Sequence, residues 1–200
     1  LSRDLLERFA RSARNNAPIP PSTLTWWIRG EVAASHLLPV QRGLYLNGIR
    51  HRAPGCADVV PWLHRDAVVS LNTVLGDAGV LNNATEVVTA VVPFDPGAPP
   101  PRLGRRKAGT CTFHFFGVPR RLLEAGNPDD RLDERAQRDH VRATPEKALV
   151  DWLYLGASPR SQRTPPPRSD MDVSMLNLMR LRRLAKAAGL SELLERWLKS

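Results

Sequence analysis

Ten residues, LLPVQRGLYL from Leu37 to Leu46, restrict the backbone more than any other stretch of this chain. Two aliphatic runs, each too short for a helix, meet at Gln41-Arg42-Gly43. Glycine supplies the positive φ that a tight hairpin turn requires. The segment therefore predicts a β-hairpin with a cationic tip. An arginine at such a tip is held away from any core, so its role must be sought in what precedes it.

Two helical patterns precede it. Ser2 is placed to cap a helix through Ala13, with Leu5, Leu6, Phe9 and Ala13 on one face. The stretch Asn15-Asn16-Ala17-Pro18-Ile19-Pro20-Pro21 reads as a turn. Ser22 or Thr23 can then cap a second helix from Leu24 to about Gly30, with Leu24, Trp27 and Ile28 inward and Thr23, Thr25, Trp26 and Arg29 outward. Helix, turn, helix and two-stranded hairpin, in that order, describe a winged helix-turn-helix. In such a module the second helix enters the major groove, where short polar and arginine side chains reach base edges, and the hairpin lies along the backbone or minor groove. The expected DNA contacts are Ser22, Thr23, Thr25, Trp26 and Arg29 on the helix and Gln41, Arg42 and Gly43 on the hairpin.

Charge agrees with that expectation. The chain carries 29 Lys and Arg against 20 Asp and Glu, a net charge of +9. Residues 1–57 hold eight basic and three acidic side chains, whereas residues 58–200 hold 21 and 17. More than half of the excess therefore sits in under a third of the chain. A polyanion such as a nucleic-acid backbone is the natural partner, since each neutralised phosphate releases counterions. Arginine outnumbers lysine 25 to 4, a bias that base composition of the gene can also produce.

The second part, expected from residue 56 onward, mixes helix and strand. Ala57–Leu63 predicts a short helix and Val68–Leu75 another. EVVTAVVP, Glu86 to Pro93, is a β-branched run of the kind found in buried strands. A loop from Asp95 to Gly109 is expected next, where Arg102, Arg105, Arg106 and Lys107 form a candidate second polyanion contact. Thr110–Val118 alternates as a strand, with Cys111, Phe113 and Phe115 on one side and Thr112, His114 and Phe116 on the other. Arg131–His140 reads as a solvated charge run. Thr144 then caps a helix whose first position is Pro145 and whose first turn holds Glu146. Ser158–Ser169 reads as an exposed Pro- and Arg-rich loop. Asp172–Leu198 is one helix or two joined near Gly189, with Leu176, Met179, Leu184, Leu190, Leu194 and Trp197 as expected core. The fold class is thus α/β of the α+β kind: a winged helix-turn-helix over residues 1–55 and a mixed α/β domain over 56–200. Cys56 and Cys111 show no metal-ligand spacing and are expected as reduced thiols in a cytoplasmic protein. Apolar runs are too short to span a bilayer, and no signal peptide is visible, although a chain beginning at leucine can lack its natural start.

Five segments, RGLYL, VVSLNTVL, EVVTAVVP, ATPEKALVDWLYL and LNLMRLRRLAKAAGL, occur together and in this order. In this the chain resembles the AbiEi antitoxins of bacterial type IV toxin–antitoxin systems. The resemblance implies a transcriptional autorepressor that binds inverted repeats in its own promoter. It also implies an α/β domain that counteracts a nucleotidyltransferase-like toxin of the AbiEii type without a stable complex between the two. On that resemblance Leu37–Leu46 corresponds to the wing, Ser22–Gly30 to the recognition helix and Ala143–Leu155 to the C-terminal domain signature. It departs from the family at the start, where the helix before Leu5–Ala13 is short or absent.

Two other classes compete. A plain winged-helix regulator would share the hairpin and use residues 58–200 for ligand sensing or oligomerisation. A DNA-processing enzyme would need clustered carboxylates with a lysine, for which Glu146, Lys147 and Asp151 are the candidates. Lys147 and Asp151 share a helical face and read more simply as an i,i+4 ion pair. No Gly-rich phosphate loop, zinc-protease motif or catalytic triad order is present, so no catalytic residue, metal or cofactor is expected.

Overall fold

The computed structural model describes residues 1–49, 55–83, 85–133, 140–161 and 163–200. Most of the expected linker Asn47–Gly55, with His51, Arg52 and Pro54, and the middle of the charge run Arg131–His140 lie outside the described residues. The fold is mixed α/β. The chain forms two compact units: Leu1–Val59 with Lys107–Cys111, and Val60–Arg106 with Thr112–Ser200.

In the first unit α1 (Arg3–Ser12) is followed by α2 (Pro21–Ala33), β1 (Leu37–Gln41) and β2 (Leu44–Asn47). Ser2 caps α1, its hydroxyl accepting from the Leu5 N–H at 3.2 Å. α1 turns Leu6 into the core but leaves Phe9 58% exposed, which corrects the expected inward face. Consecutive left-handed residues, Asn15 and Asn16, turn the chain toward α2. That helix starts three residues earlier than Leu24 and ends three beyond Gly30. Proline at its first position is already set to helical φ, so neither Ser22 nor Thr23 serves as cap. Leu6, Ile19, Leu24, Ile28 and Leu37 form the core, with Leu1, Ala10, Trp27, Val32 and Tyr45 packed against it. β1 and β2 pair antiparallel, Leu38 opposite Leu46, with a register shift between Pro39 and Gln41. Ser2 forms an isolated antiparallel bridge with Leu44, so the chain start lies along β2.

Cys56 and Cys111 are joined in a disulfide, Cα–Cα 5.6 Å, which corrects the expectation of free thiols. Their separation of 55 residues gave no local sign of pairing. A 3₁₀ turn, Cys56–Val59, completes this unit.

The second unit opens with α3 (Val60–Leu63), β3 (Val68–Val69) and α4 (Asn72–Asp77). The expected helix Val68–Leu75 is therefore split. Leu71 adopts φ +61°, a conformation costly for a branched residue, and its wholly buried side chain holds it there. β4 (Val87–Phe94), β5 (Gly104–Ala108) and β6 (Cys111–Pro119) complete a sheet ordered β3-β4-β6-β5. β4 runs antiparallel to β3 and parallel to β6, Ala90 opposite Phe115. Phe113 and Phe115 are buried on one face of β6, as its alternation predicts. β5 replaces much of the expected loop Asp95–Gly109. Its arginines carried no apolar signal, and pairing with β6 alone makes it a strand.

Among the described residues five helices follow: α5 (Arg120–Leu123), α6 (Pro128–Arg131), α7 (Pro145–Ala157), α8 (Leu178–Ala187) and α9 (Ser191–Lys199). Thr144 caps α7. Gly189, at φ +71°, separates α8 from α9. Asn177 caps α8 in a phase that turns Leu181 and Leu184 inward and leaves Met179 71% exposed, against its expected place in the core. The Pro-rich segment is held rather than loose. The Trp152 indole donates to the Thr164 carbonyl at 2.9 Å, and the Trp197 indole to that of Pro166 at 2.8 Å.

Candidate nucleic-acid interface

α2 buries Leu24 and Ile28, so helical geometry sends Ser22, Trp26 and Arg29 to the opposite, exposed face, with Thr23 beside them. Trp26 is 77% exposed, placing the indole in solvent rather than core. At the hairpin tip Gln41 and Arg42 are exposed and Gly43 has φ +76°.

Arg3, a residue the sequence reading passed over, links these two surfaces. Its backbone N–H donates to the Gly43 carbonyl at 2.8 Å. Its guanidinium donates to Thr25 Oγ1 at 2.9 Å and to the Pro21 carbonyl at 3.3 Å. The Thr25 hydroxyl in turn donates to Pro21 at 2.8 Å. The hairpin turn and the first two turns of α2 are therefore neighbours, spanned by one side chain. Thr25 is half-buried and its hydroxyl is engaged in this bridge, so it acts as a support for Arg3. The Tyr45 N–H donates to the Leu1 carbonyl at 2.9 Å, which fixes the start of α1 against β2. No local pattern could have revealed Arg3, because both partners are distant in sequence.

Two of the three carboxylates of residues 1–57 are engaged by side chains. Glu7 pairs with Arg11 at 2.5 Å, and Glu31 is hydrogen-bonded to His36 Nδ1 at 2.9 Å. Arg8, Arg14, Arg29 and Arg42 all remain exposed.

Of the second candidate set, Arg105 and Lys107 are exposed on one face of β5, while Arg106 is half-buried on the other. Arg102 precedes the strand and is exposed. Burial lowers the pKa of His114, helped by the charges of Arg105 and Arg163. Burial likewise lowers that of His64, helped by the charges of Arg106 and Arg102, against a hydrogen bond from its imidazole to the Arg102 backbone that raises it. Three of the four cations thus divide between two faces of an edge strand, and the fourth lies before it.

The residues weighed for catalysis are enclosed. Lys147 and Asp151 form an ion pair with side chains 3% and 1% exposed, and the Ser70 hydroxyl donates to Asp151 Oδ2 at 2.8 Å. Glu146 accepts from the Asn177 N–H at 2.8 Å and faces Arg180 at 3.6 Å. Among the described residues no group of His, Cys, Asp and Glu could hold a metal ion, and no helix is long and apolar enough to cross a membrane.

No protein-family model matches the sequence, and no curated protein matches it significantly. Among solved structures, the chain is similar to the crystal structure of the Rv2827c protein from Mycobacterium tuberculosis. The TM-score is 0.56 at 18% sequence identity, over 99% of this chain and 72% of that one. At that identity the likeness is one of fold.

Proposed function

We propose that the protein binds double-stranded DNA through residues 1–55 as a winged helix-turn-helix, with α2 as recognition helix and β1–β2 as wing. The observation that carries this reading is the Arg3 bridge between Gly43 and Thr25. It sets a cationic β-turn beside an exposed helical surface bearing Ser22, Thr23, Trp26 and Arg29, as one duplex would require. Arg42 contacts a phosphate, Arg29 and Trp26 meet base edges, and Gln41 and Gly43 shape the turn. Arg105 and Lys107 add a second backbone contact, with Arg106 on the other face of the strand and Arg102 preceding it.

Together with the resemblance to AbiEi antitoxins, this makes the protein a cytoplasmic transcriptional autorepressor acting on inverted repeats in its own promoter. It counteracts a nucleotidyltransferase-like toxin without forming a stable complex with it. A gel shift with the DNA upstream of its gene tests the binding, using an unrelated duplex of equal length as competitor. Equal competition by the two duplexes removes the operator. Co-expression with the neighbouring toxin gene tests the second half, and growth that is not rescued removes the antitoxin role while leaving the DNA-binding one.

A further inference from the structure

The disulfide lies in the same unit as the proposed DNA-binding surface. Cys111 follows the turn Gly109-Thr110, and Cys56 opens the 3₁₀ turn Cys56–Val59. Both cysteines are half-buried rather than enclosed in the core. The turn rests on β1: a side chain at Gly109 would overlap the carbonyl oxygen of Pro39, so backbone meets backbone there. Pro39 is two residues from Gln41, at the register shift that leads into the hairpin tip. Lys107, exposed, lies in β5 two residues before Gly109. One covalent bond thus ties the residue that follows this turn to the Cys56–Val59 turn, while the turn itself rests against β1, the strand that leads to Arg42.

We propose that Cys56 and Cys111 form a reversible thiol–disulfide switch, closed when DNA affinity is high and opened by a dithiol reductant. The proposal rests on the DNA-binding reading above. A protein acting on DNA works where thioredoxin- and glutathione-type thiols keep most cysteines reduced, so a surface disulfide there is transient. In the opening step a reductant thiolate attacks one sulfur, forming a mixed disulfide and releasing the other as thiolate. The reductant's second thiol then displaces the protein. The Cys56–Cys111 bond is broken, both cysteines end as thiols, and the dithiol leaves as a cyclic disulfide. Two electrons and two protons pass to the protein. Opening releases Cys111 from Cys56, loosens the Gly109-Thr110 turn that rests on β1 and lets Lys107, at the end of β5, lose a contact with the duplex.

The test compares oxidised protein, protein reduced with dithiothreitol, and the Cys56→Ser/Cys111→Ser variant. Trypsin cleavage after Lys107 reports the clasp, and binding to a labelled duplex from its own upstream region reports the output. Reduction is expected to speed cleavage by about tenfold or more, as local protection is lost. It is expected to weaken binding about eightfold at roughly 0.1 M salt, the loss of one phosphate contact, with the salt slope shallower by about 0.9. The double variant should match reduced protein and ignore the reductant; if it does not fold, titrating native protein with dithiothreitol carries the comparison alone. Equal cleavage in both redox states overturns the clasp. Faster cleavage with unchanged affinity and slope overturns the switch. Failure to bind duplex in either state, with trypsin still sensing the disulfide, overturns the DNA-binding reading and with it the switch's output.

Discussion

Replacing Asp151 by alanine tests whether the Lys147–Asp151 pair is scaffold. Both side chains are almost wholly buried, and Asp151 also accepts from Ser70, itself fully buried. The variant leaves an ammonium and a hydroxyl without an acceptor in the interior. Removing one partner of a buried pair costs about 3–5 kcal/mol, a large share of the roughly 5–15 kcal/mol that holds a domain together. With a urea dependence of about 2 kcal/mol per molar, the unfolding midpoint should fall by about 1.5–2.5 M. Replacing the whole cluster, as Ser70→Ala/Lys147→Met/Asp151→Leu, leaves no buried charge and should cost within about 2 kcal/mol of nothing. Trp152, on the same helix, supplies the fluorescence signal for equilibrium unfolding. A single variant losing under about 1 kcal/mol at an unchanged slope would refute the argument. It would mean that Lys147 reaches water, and the pair would again be a candidate for chemistry.

Three further outcomes are expected. Arg42→Ala should flatten the salt dependence of duplex binding by about 0.9 in slope, the weight of one phosphate contact, as read by fluorescence anisotropy across a salt series; an unchanged slope removes the wing assignment. Arg3→Ala should cost about 1–2 kcal/mol of stability through its lost charged hydrogen bonds and weaken duplex binding even though Arg42 and Arg29 are intact, while Arg3→Lys should restore little of either, because one ammonium cannot reproduce both the reach and the planar geometry; full binding by Arg3→Ala would show that the bridge does not position the surface. His64 and His114 have lowered pKa values in the fold, through burial first and neighbouring arginines second. The unfolded chain therefore binds more protons, and the stability they contribute is present above pH 6.5 and lost as pH falls below it. His64→Gln/His114→Gln should flatten thermal stability between pH 7 and pH 5, whereas the contribution of Asp130, whose pKa is lowered by its hydrogen bond to Arg183, disappears only below about pH 4.

What could be read in the sequence was what neighbouring residues decide. Thr144-Pro145 announces α7, Gly189 divides the C-terminal helices, and Gln41-Arg42-Gly43 turns the hairpin, because each acts through its own backbone and a few residues beside it. Val68–Leu71 misled for the same reason: nothing local forces a leucine to positive φ, and only the surrounding core keeps it there. β5 was invisible because a strand with arginines on both faces has no period-2 apolar signal, and its place comes from the partner strand. The features that now matter most for function are long-range in this sense. Arg3 reads as an ordinary residue in the first turn of a helix until Gly43 and Thr25 are brought to it, and the two cysteines read as unrelated until the fold closes their separation of 55 residues. Residue type and periodicity could nominate the cations, whereas only the pairing of the chain start with β2 sets the cationic turn beside α2. A binding surface assembled in that way loses its geometry before its charge. Substitutions at Arg3 should therefore separate the two contributions more cleanly than any substitution among the exposed arginines themselves.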